Sequence, residues 1–301
     1  MKVVFVVGAT ASGKSNYALE RALNNQSDTF AIKSAIVNCD SVQVYQGLKI
    51  GSALPSAEEM SQVPHFLYAY VPKGEKITAG QYSRAFFALM ENLKNDFQEV
   101  LVVGGTGFYF QAIEKGMFDV GGEHPEIREQ LQKRIETEEG AEALYEEFRQ
   151  RDPESAKRIF PKDHYRLVRA MELMLTQNKT LSEIQKEFEK NQKKFPWPLE
   201  KVGIQMSKEE LLPKVQQRTK KMLQNGLIEE VKELREQGLR TWAPMESVGY
   251  KEVNLFLDGS PEIKNLASLE EQIVMNTMRL AKKQKTWFQR DAEIGWLCAP
   301  C

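Results

Sequence analysis

Short apolar runs alternate with helical stretches along the first hundred residues of the chain. Residues 3–7 form an unalternating apolar run that ends at Gly8, and similar runs cover residues 35–39 and 99–103. Runs of this kind are typical of strands buried on both faces of a parallel sheet. Because a helical stretch at 16–23 follows the first run, the pattern predicts an α/β fold with a parallel sheet flanked by helices.

The pattern changes to helix alone from about residue 121 to about residue 198. Residues 123–152 hold ten acids and five bases, whereas 157–169 hold five bases and one acid. Asp152 before Pro153 predicts a capped helix start, and Thr180 with Glu183 forms the pattern of a capping box. The prolines within 195–198 stop helix formation. We therefore expect an inserted all-helical domain at 121–198, within a core formed by residues 1–120 and 199–301.

After this segment, the sequence predicts a return to the sheet. Residues 201–206 have the pattern of another strand, and Ser207 with Glu210 forms a second capping box that opens a long helix. Helical patterns then dominate to about residue 290.

Composition narrows the class of protein. The 301 residues suggest about two domains. Forty-one basic and 42 acidic residues leave a net charge of -1, so a generally basic nucleic-acid binder is excluded and any polyanion must meet a local patch. No apolar run is long enough to predict a membrane span. Three cysteines, an odd number, indicate a reducing compartment, and we expect the cytoplasm. Two of them, Cys298 and Cys301, stand at the end of the chain, where we expect a frayed tail.

The segment after the first strand carries a phosphate-binding motif. Residues 8–15 match G-x-x-x-x-G-K-[ST] and lie between a predicted strand and a predicted helix, the context that this motif requires. Its backbone N–H groups and the helix N-terminus would surround a phosphate. Lys14 would reach the terminal phosphate, and Ser15 would bind Mg²⁺. The motif predicts a diphosphate or triphosphate site formed by Gly8, Ala9, Thr10, Ala11, Ser12, Gly13, Lys14 and Ser15.

Asp40 follows the second predicted strand, at the edge where open α/β sheets bind their ligands. It is a candidate magnesium ligand, general base or helix cap. The third strand ends in Gly104, Gly105 and Thr106, without the acid that would hold magnesium in an ATPase. The Thr106 hydroxyl can hydrogen-bond a substrate there.

Seven blocks, in order, resemble the tRNA dimethylallyltransferases, also called tRNA isopentenyltransferases. They span nearly the whole chain and comprise the residues 8–15, 40–45, 104–109, 163–172, 218–231, 247–251 and 281–288. Members of that family transfer the allyl group of dimethylallyl diphosphate to N6 of the adenine 3′ of the tRNA anticodon and release diphosphate. The resemblance implies that the phosphate loop binds this diphosphate, with Mg²⁺, rather than ATP. We expect a monomer.

The resemblance also assigns roles to residues. It implies that Asp40 is the general base, that Thr106 hydrogen-bonds the adenine amine, and that Arg218 contacts the diphosphate. Tyr165 stands where the family usually has Gln, which predicts stacking on a base in place of an amide contact. Family resemblance, with the acid-free run of bases at 279–290, gives the expected tRNA contacts: Asp40, Ser41, Val42, Gln43, Tyr165, Arg166, Arg169, Gly249, Tyr250, Lys251, Arg279, Lys282 and Lys283.

Two other functions fit a phosphate loop. The first is a kinase that transfers a phosphoryl group from ATP to a small molecule, with Asp40 organising its magnesium. The second is an RNA-binding protein that uses a nucleotide as a switch. Hydrolysis of ATP with and without RNA, compared with diphosphate release from dimethylallyl diphosphate in the presence of tRNA, would distinguish the three.

Overall fold

The computed structural model describes residues 1–27, 33–117 and 124–298. Within these ranges the chain divides into two compact units, one formed by Met1–Glu114 and Phe195–Cys301, the other by Lys115–Lys194. The helical insertion predicted at 121–198 thus begins and ends a few residues later than the second unit. Residue 121 itself lies outside the described residues, as does Cys301.

One six-stranded sheet forms the centre of the first unit. Its strands are β1 (Lys2–Gly8), β2 (Ser34–Asn38), β3 (His65–Phe66), β4 (Glu99–Gly104), β5 (Leu199–Gln205) and β6 (Gly295–Cys298). All neighbours pair in parallel, in the order β3-β2-β4-β1-β5-β6. The predicted α/β fold with a parallel sheet is therefore confirmed.

Thirteen α-helices lie in the described part of the chain. They are α1 (Lys14–Ser27), α2 (Ala57–Gln62), α3 (Ala79–Leu93), α4 (Gly107–Glu114), α5 (Pro125–Arg134), α6 (Glu138–Arg151), α7 (Pro153–Ala156), α8 (His164–Gln177), α9 (Leu181–Asn191), α10 (Lys208–Gln224), α11 (Leu227–Glu236), α12 (Tyr250–Leu257) and α13 (Leu266–Phe288). None of the helices among these residues is long and apolar enough to cross a membrane.

The sheet is buried on both faces, which explains why its strands lack alternation. Val3, Phe5 and Val7 of β1 enter the larger apolar cluster, and Val4 and Val6 enter the other. Burying such side chains on both sides contributes about 25 cal/mol for each Å² of apolar surface removed from water. The sheet is therefore a rigid base for the loops at its carboxyl ends.

The second unit, Lys115–Lys194, has its own apolar core. Leu144, Phe148, Leu167 and Met171 are fully buried there. Its predicted helix starts are confirmed: the Asp152 carboxylate accepts from the N–H of Ser155, and Thr180 and Glu183 form the capping box. Ser207 and Glu210 form the other capping box at the start of α10, in the first unit. Local caps are recognisable because they depend on residues three apart.

The end of the chain corrects one expectation. Cys298 is not part of a frayed tail but the last residue of β6, paired with Gln205 of β5. The pairing is favoured because the ring of Trp296 covers Gly203, where a Cβ would lie only 2.5 Å from the ring. The Cys298 side chain is exposed.

Candidate functional site

The carboxyl ends of β1, β2 and β4 open into a cavity of about 1040 Å³. The cavity is lined by the phosphate-motif loop, the turn after β2, the loop after β4 and one face of α10. Residues distant in the sequence meet here because parallel strands end at one edge of the sheet. The predicted residues that line it are Thr10, Ala11, Gly13, Lys14, Ser15, Asp40, Gln43 and Arg218.

The motif at 8–15 forms a loop that wraps back on itself. The N–H of Ser12 donates to the carbonyl of Ala9 at 3.2 Å, and α1 begins at Lys14. Gly13 has a φ of +92°, a left-handed conformation that glycine adopts without steric cost. The buried Ser12 hydroxyl has no hydrogen-bond partner among the described residues. The loop therefore keeps polar groups available for an anion.

Lys14 holds a positive charge inside this loop. Its ammonium donates to the Ala9 carbonyl at 2.6 Å. The pKa of Lys14 is lowered to about 8, mainly by burial; Asp40 opposes this shift and nearby Arg218 adds to it. A negatively charged ligand stabilises the charged form of such a lysine, because it replaces favourable interactions with water that burial removed.

Arg218 adds a second cation from the middle of α10. Burial lowers its pKa, with Asp40 opposing that effect. Within the described residues, no carboxylate lies at ion-pair distance from Arg218 or Lys14. Two half-buried cations without an ion-pair partner among these residues, beside a loop of N–H groups, have the character expected of an anion site.

Asp40 faces the same cavity from the turn after β2. Its Oδ1 accepts hydrogen bonds from the N–H groups of Val42 at 2.9 Å and Gln43 at 3.4 Å. Its other oxygen, Oδ2, makes no hydrogen bond with a described residue. Asp40 thus caps a turn with one oxygen and leaves the second for a substrate, so the capping and chemical roles considered from the sequence are compatible.

Thr106 is attached to this turn. Its hydroxyl accepts from the N–H of Ser41 at 2.9 Å and donates to the Ser41 hydroxyl at 3.2 Å. A hydroxyl oxygen has two lone pairs, so Thr106 can accept one further hydrogen bond. The structure brings Asp40, Ser41 and Thr106 together, as their positions at two strand ends suggest.

The segment after α11 differs from what its motif suggests. Tyr250 is fully buried, and its hydroxyl donates to Glu230 at 2.6 Å. Gly249 is also buried, whereas Lys251 is exposed and pairs with Glu246. Only the last of the three predicted tRNA contacts here presents its side chain to solvent.

The basic stripe at the C-terminal end of α13 lies on an exposed face. Arg279, Lys282 and Lys283 are exposed, while Ala281 and Gln284 between and beside them are buried. The arrangement leaves the charges on one side of the helix and the apolar contacts on the other.

In the second unit, the three predicted contacts lie on α8 or at its start. The side chain of Tyr165 is 72% exposed. Arg166 is exposed beside Asp163, and Arg169 pairs with the buried Glu172. Both arginines therefore have an acidic partner, but the side chains of Tyr165 and Arg166 are more exposed than that of Arg169.

Two residues that hold the cavity's loops in place were absent from the predicted site residues. Glu230 accepts from the N–H groups of Lys49, Ile50 and Gly51, a loop that lines the cavity. Gln284 contacts both the phosphate-motif loop and the loop after β4. Both lie within blocks that resemble the family, 218–231 and 281–288, but no role was assigned to either; a further signal for Gln284 is that it is a polar residue on the apolar face of a helix.

Comparison with known proteins gives one consistent result. Residues 43–291 match the family described as IPP transferase. The chain is 49% identical to the tRNA dimethylallyltransferase of Bdellovibrio bacteriovorus over 98% of its own length and 92% of that protein's. It is 31% identical to the tRNA dimethylallyltransferase of Bacillus subtilis, over 98% and 90%.

Solved structures agree. The chain resembles the crystal structure of tRNA Δ(2)-isopentenylpyrophosphate transferase from Staphylococcus epidermidis with a TM-score of 0.66 and 28% identity, over 99% of this chain and 93% of that one. A eukaryotic dimethylallyltransferase described as acting on tRNA shares the fold, with a TM-score of 0.82 and 23% identity over 99% and 74%.

Proposed function

This chain belongs to the IPP transferase family, and from that premise we propose how its cavity carries out the family's reaction. The chain transfers a dimethylallyl group from dimethylallyl diphosphate to N6 of the adenine 3′ of the anticodon in tRNA, and diphosphate is released. The roles that we assign to residues rest on one observation. Lys14 and Arg218, two cations without an ion-pair partner in the described part of the chain, line the same cavity as the Asp40 carboxylate.

The cations act on the leaving group. Breaking the bond between the allylic carbon and the diphosphate oxygen leaves the electron pair, and therefore negative charge, on the diphosphate. Lys14, Arg218 and the N–H groups of the motif loop stabilise that charge where it develops. They are held in place before the reaction, because Lys14 is at the start of α1 and Arg218 is in the middle of α10.

Asp40 acts on the nucleophile. The lone pair of an adenine amine is delocalised into the ring, so the amine is a weak nucleophile and becomes acidic only as it bonds to carbon. N6 forms the new bond to the allylic carbon, and its proton passes to the free Oδ2 of Asp40. Thr106, fixed by Ser41, accepts the second N–H of the amine.

A magnesium ion fits this cavity. Mg²⁺ prefers oxygen ligands, keeps several waters and takes most of its other ligands from substrate phosphates. Ser15 supplies a hydroxyl at the first turn of α1, next to the anion site, so it is the residue that would hold the ion. When bound, Mg²⁺ would add positive charge against the leaving diphosphate.

The tRNA would be held by side chains that the structure leaves accessible. In the first unit, these are the turn Ser41, Val42 and Gln43 and the exposed bases Arg279, Lys282, Lys283 and Lys251. In the second unit, Tyr165 and Arg166 are accessible, with Arg169 as a weaker contact. Among these, contacts from the Arg and Lys side chains to phosphates would supply affinity and register. The cytoplasmic location and the monomeric state remain predictions.

A mass spectrum of a nuclease digest tests the reaction. Unmodified tRNA is incubated with the protein, dimethylallyl diphosphate and Mg²⁺, and the digest is compared with one from a reaction without the diphosphate. We expect one adenosine, 3′ of the anticodon, to gain one dimethylallyl group. An unmodified digest together with RNA-independent ATP hydrolysis would instead support the kinase, and RNA-stimulated ATP hydrolysis would support the nucleotide switch.

A further inference from the structure

One buried side chain on α13 joins the two loops on which the reaction depends. The Gln284 carbonyl oxygen accepts from the N–H of Thr10 at 2.8 Å, and its amide nitrogen donates to the carbonyl of Gly105 at 3.0 Å. Only 9% of Gln284 is exposed. Both polar ends of the amide are therefore used, and each is bonded to a different loop.

These loops lie beyond the point where the sheet holds its strands together. Strands β1 and β4 pair as far as Val7 and Gly104. Thr10 and Gly105 come after that last pair, in two loop segments that β1–β4 pairing no longer joins. The Gln284 amide accepts from one segment and donates to the other, so it links them as a further pair of strand residues would.

Gly105 is shaped to admit this amide. A Cβ built on Gly105 would lie 2.3 Å from the Gln284 amide nitrogen, so the amide occupies the space of a side chain. Any larger residue at 105 would displace Gln284 or move the loop. The pair Gly105 and Gln284 therefore forms one unit, although the residues are 179 positions apart.

We propose that Gln284 is a positioning residue that sets the distance between the diphosphate loop and the Thr106 loop. The inference rests on the proposed function. The first loop holds the leaving group, and the second, through Ser41, holds the turn of Asp40 and the adenine amine. Displacement at the allylic carbon requires the nucleophile and the leaving group to be in line, and an error of about 1 Å can cost about 100-fold in rate.

This role affects the chemical step more than the binding of either substrate. Each loop keeps its own contacts when Gln284 is changed: Lys14 and Arg218 still face the diphosphate, and Thr106 still bonds to Ser41. What changes is the spacing between the two loops. A single-turnover rate at saturating substrates therefore separates positioning from binding.

Gln284→Met tests the proposal, because methionine keeps the length of the side chain but has neither hydrogen-bonding group. We expect the single-turnover rate to fall about 10- to 100-fold, with affinities for dimethylallyl diphosphate and for tRNA within about threefold of wild type. Gln289→Met, the same substitution at an exposed position next to the end of the same helix, is the matched control and should leave the rate unchanged.

A mutant cycle with Gly105 provides the second test. Gly105→Ala alone should slow single turnover, because its Cβ displaces the amide. In a Gln284→Ala background that space is empty, so adding Gly105→Ala should slow the reaction by less than about twofold. Thermal unfolding checks that each variant is folded. If Gln284→Met does not fold, the cycle decides.

Three results would overturn the proposal: an unchanged rate in folded Gln284→Met, a loss confined to substrate affinity, or losses at 105 and 284 that multiply. All are judged against a wild-type protein that modifies tRNA. A wild-type protein that does not modify tRNA would contradict the proposed function instead, so the two failures are distinguishable.

Discussion

The backbone N–H of Ser41 donates to the hydroxyl of Thr106 at 2.9 Å, which ties the turn after β2 to the start of α4. Because Asp40 caps the same turn through Oδ1, its free oxygen and the Thr106 hydroxyl are fixed relative to each other. In the proposed mechanism, this lets Asp40 and Thr106 engage the two N–H bonds of one amine together.

Asp40→Asn should lower the single-turnover rate by about 10² to 10⁴ while both substrates still bind. Asparagine keeps the oxygen that caps the turn, so the loop stays in place, but it cannot accept the proton from N6. Rates measured across a magnesium titration check the reason for the loss. Recovery of Asp40→Asn at high magnesium would identify Asp40 as a metal ligand instead of a base.

Thr106→Ala should show a smaller loss, about tenfold, as expected for one hydrogen bond. The variant removes an acceptor for the amine and for Ser41 N–H but keeps the Asp40 carboxylate. Single-turnover rates at saturating tRNA and dimethylallyl diphosphate measure it. A loss as large as that of Asp40→Asn would show that the turn, rather than the hydrogen bond to substrate, had been disturbed.

Diphosphate affinity should fall as the pH rises above about 8. Burial lowers the pKa of Lys14 to about 8 in the free protein, whereas a bound diphosphate favours the charged ammonium and raises that pKa. Below pH 8 the lysine is protonated with or without ligand, so affinity is flat. Above it, binding takes up a proton, and each pH unit should weaken affinity by up to about tenfold.

Calorimetric titration with dimethylallyl diphosphate, without tRNA, checks this between pH 7 and pH 9.5. The ligand does not confuse the result, because a terminal phosphate loses its second proton near pH 6. Lys14→Met is the control: it should bind more weakly at every pH and show no decline above pH 8. A wild-type affinity that stays level to pH 9.5 would contradict the lowered pKa.

How much of this site could be predicted depends on how local each contact is. The phosphate loop could be recognised because its eight residues are contiguous, so the spacing of the motif in the sequence defines the loop that binds phosphate. Asp40 and Thr106 could be placed because strand ends meet at one edge. Gln284 and Glu230 could not, since the loops that they hold lie 179 or more residues away in the sequence.

The fold shows the same division. The four central strands could be predicted because burial on both faces favours short, mostly apolar segments, although Asn38, Glu99 and Lys201 are buried polar residues within them. The two edge strands were missed, since β3 has only two residues and β6 only four, too few for a recognisable strand pattern. Tyr250 shows a limit of motif-based prediction, because a motif can contain structural residues as well as RNA contacts. Its burial and its hydrogen bond to Glu230 indicate a structural role, and neither could be read from the sequence.

The exposed bases predict a salt-dependent affinity for tRNA. Each of Arg166→Ala, Lys282→Ala and Lys283→Ala should weaken binding and reduce the slope of log affinity against log salt by about 1, as expected for one lost phosphate contact. Arg169→Ala should have a smaller effect because the Arg169 side chain is 30% exposed, against 61% for Arg166, and its partner Glu172 is buried.

Filter binding over a range of salt concentrations measures these slopes. Lys133→Ala, which removes an exposed base on α5 that pairs with Glu129, is the matched control and should leave the slope unchanged. Unchanged affinity and slope in the three test variants would make those residues solvated charges without a role in tRNA binding.

An ion-pair cluster lies at the end of the sheet opposite the cavity, so we expect its removal to affect stability but not catalysis. Arg21 of α1 donates to Glu99 at the start of β4 and to Glu200 of β5, and Glu99 is only 6% exposed. Arg21→Ala leaves the buried Glu99 carboxylate without its cation, and such a loss costs about 3–5 kcal/mol. Asn25, which donates to Glu99 at 2.8 Å, offsets part of the cost.

Denaturant unfolding measures the loss of stability in Arg21→Ala. Arg149→Ala, which breaks an exposed pair with Glu146, is the control and should change the unfolding midpoint little.

The same cluster should make the stability of the fold decrease as the pH falls. Hydrogen bonds from Arg21, with a smaller contribution from Lys2, lower the pKa of Glu200 to about 2 from an ordinary value of 4.5. Stability from this group is therefore complete above pH 4.5 and is lost as the pH falls towards 2, because the unfolded chain takes up the proton first. In Arg21→Ala the pKa of Glu200 returns towards its ordinary value, so less stability is lost between pH 5 and pH 3 than in wild type. Parallel acid titrations of the unfolding midpoint should show the wild-type curve falling more steeply; equal slopes would mean that the pair with Arg21 contributes nothing to the fold.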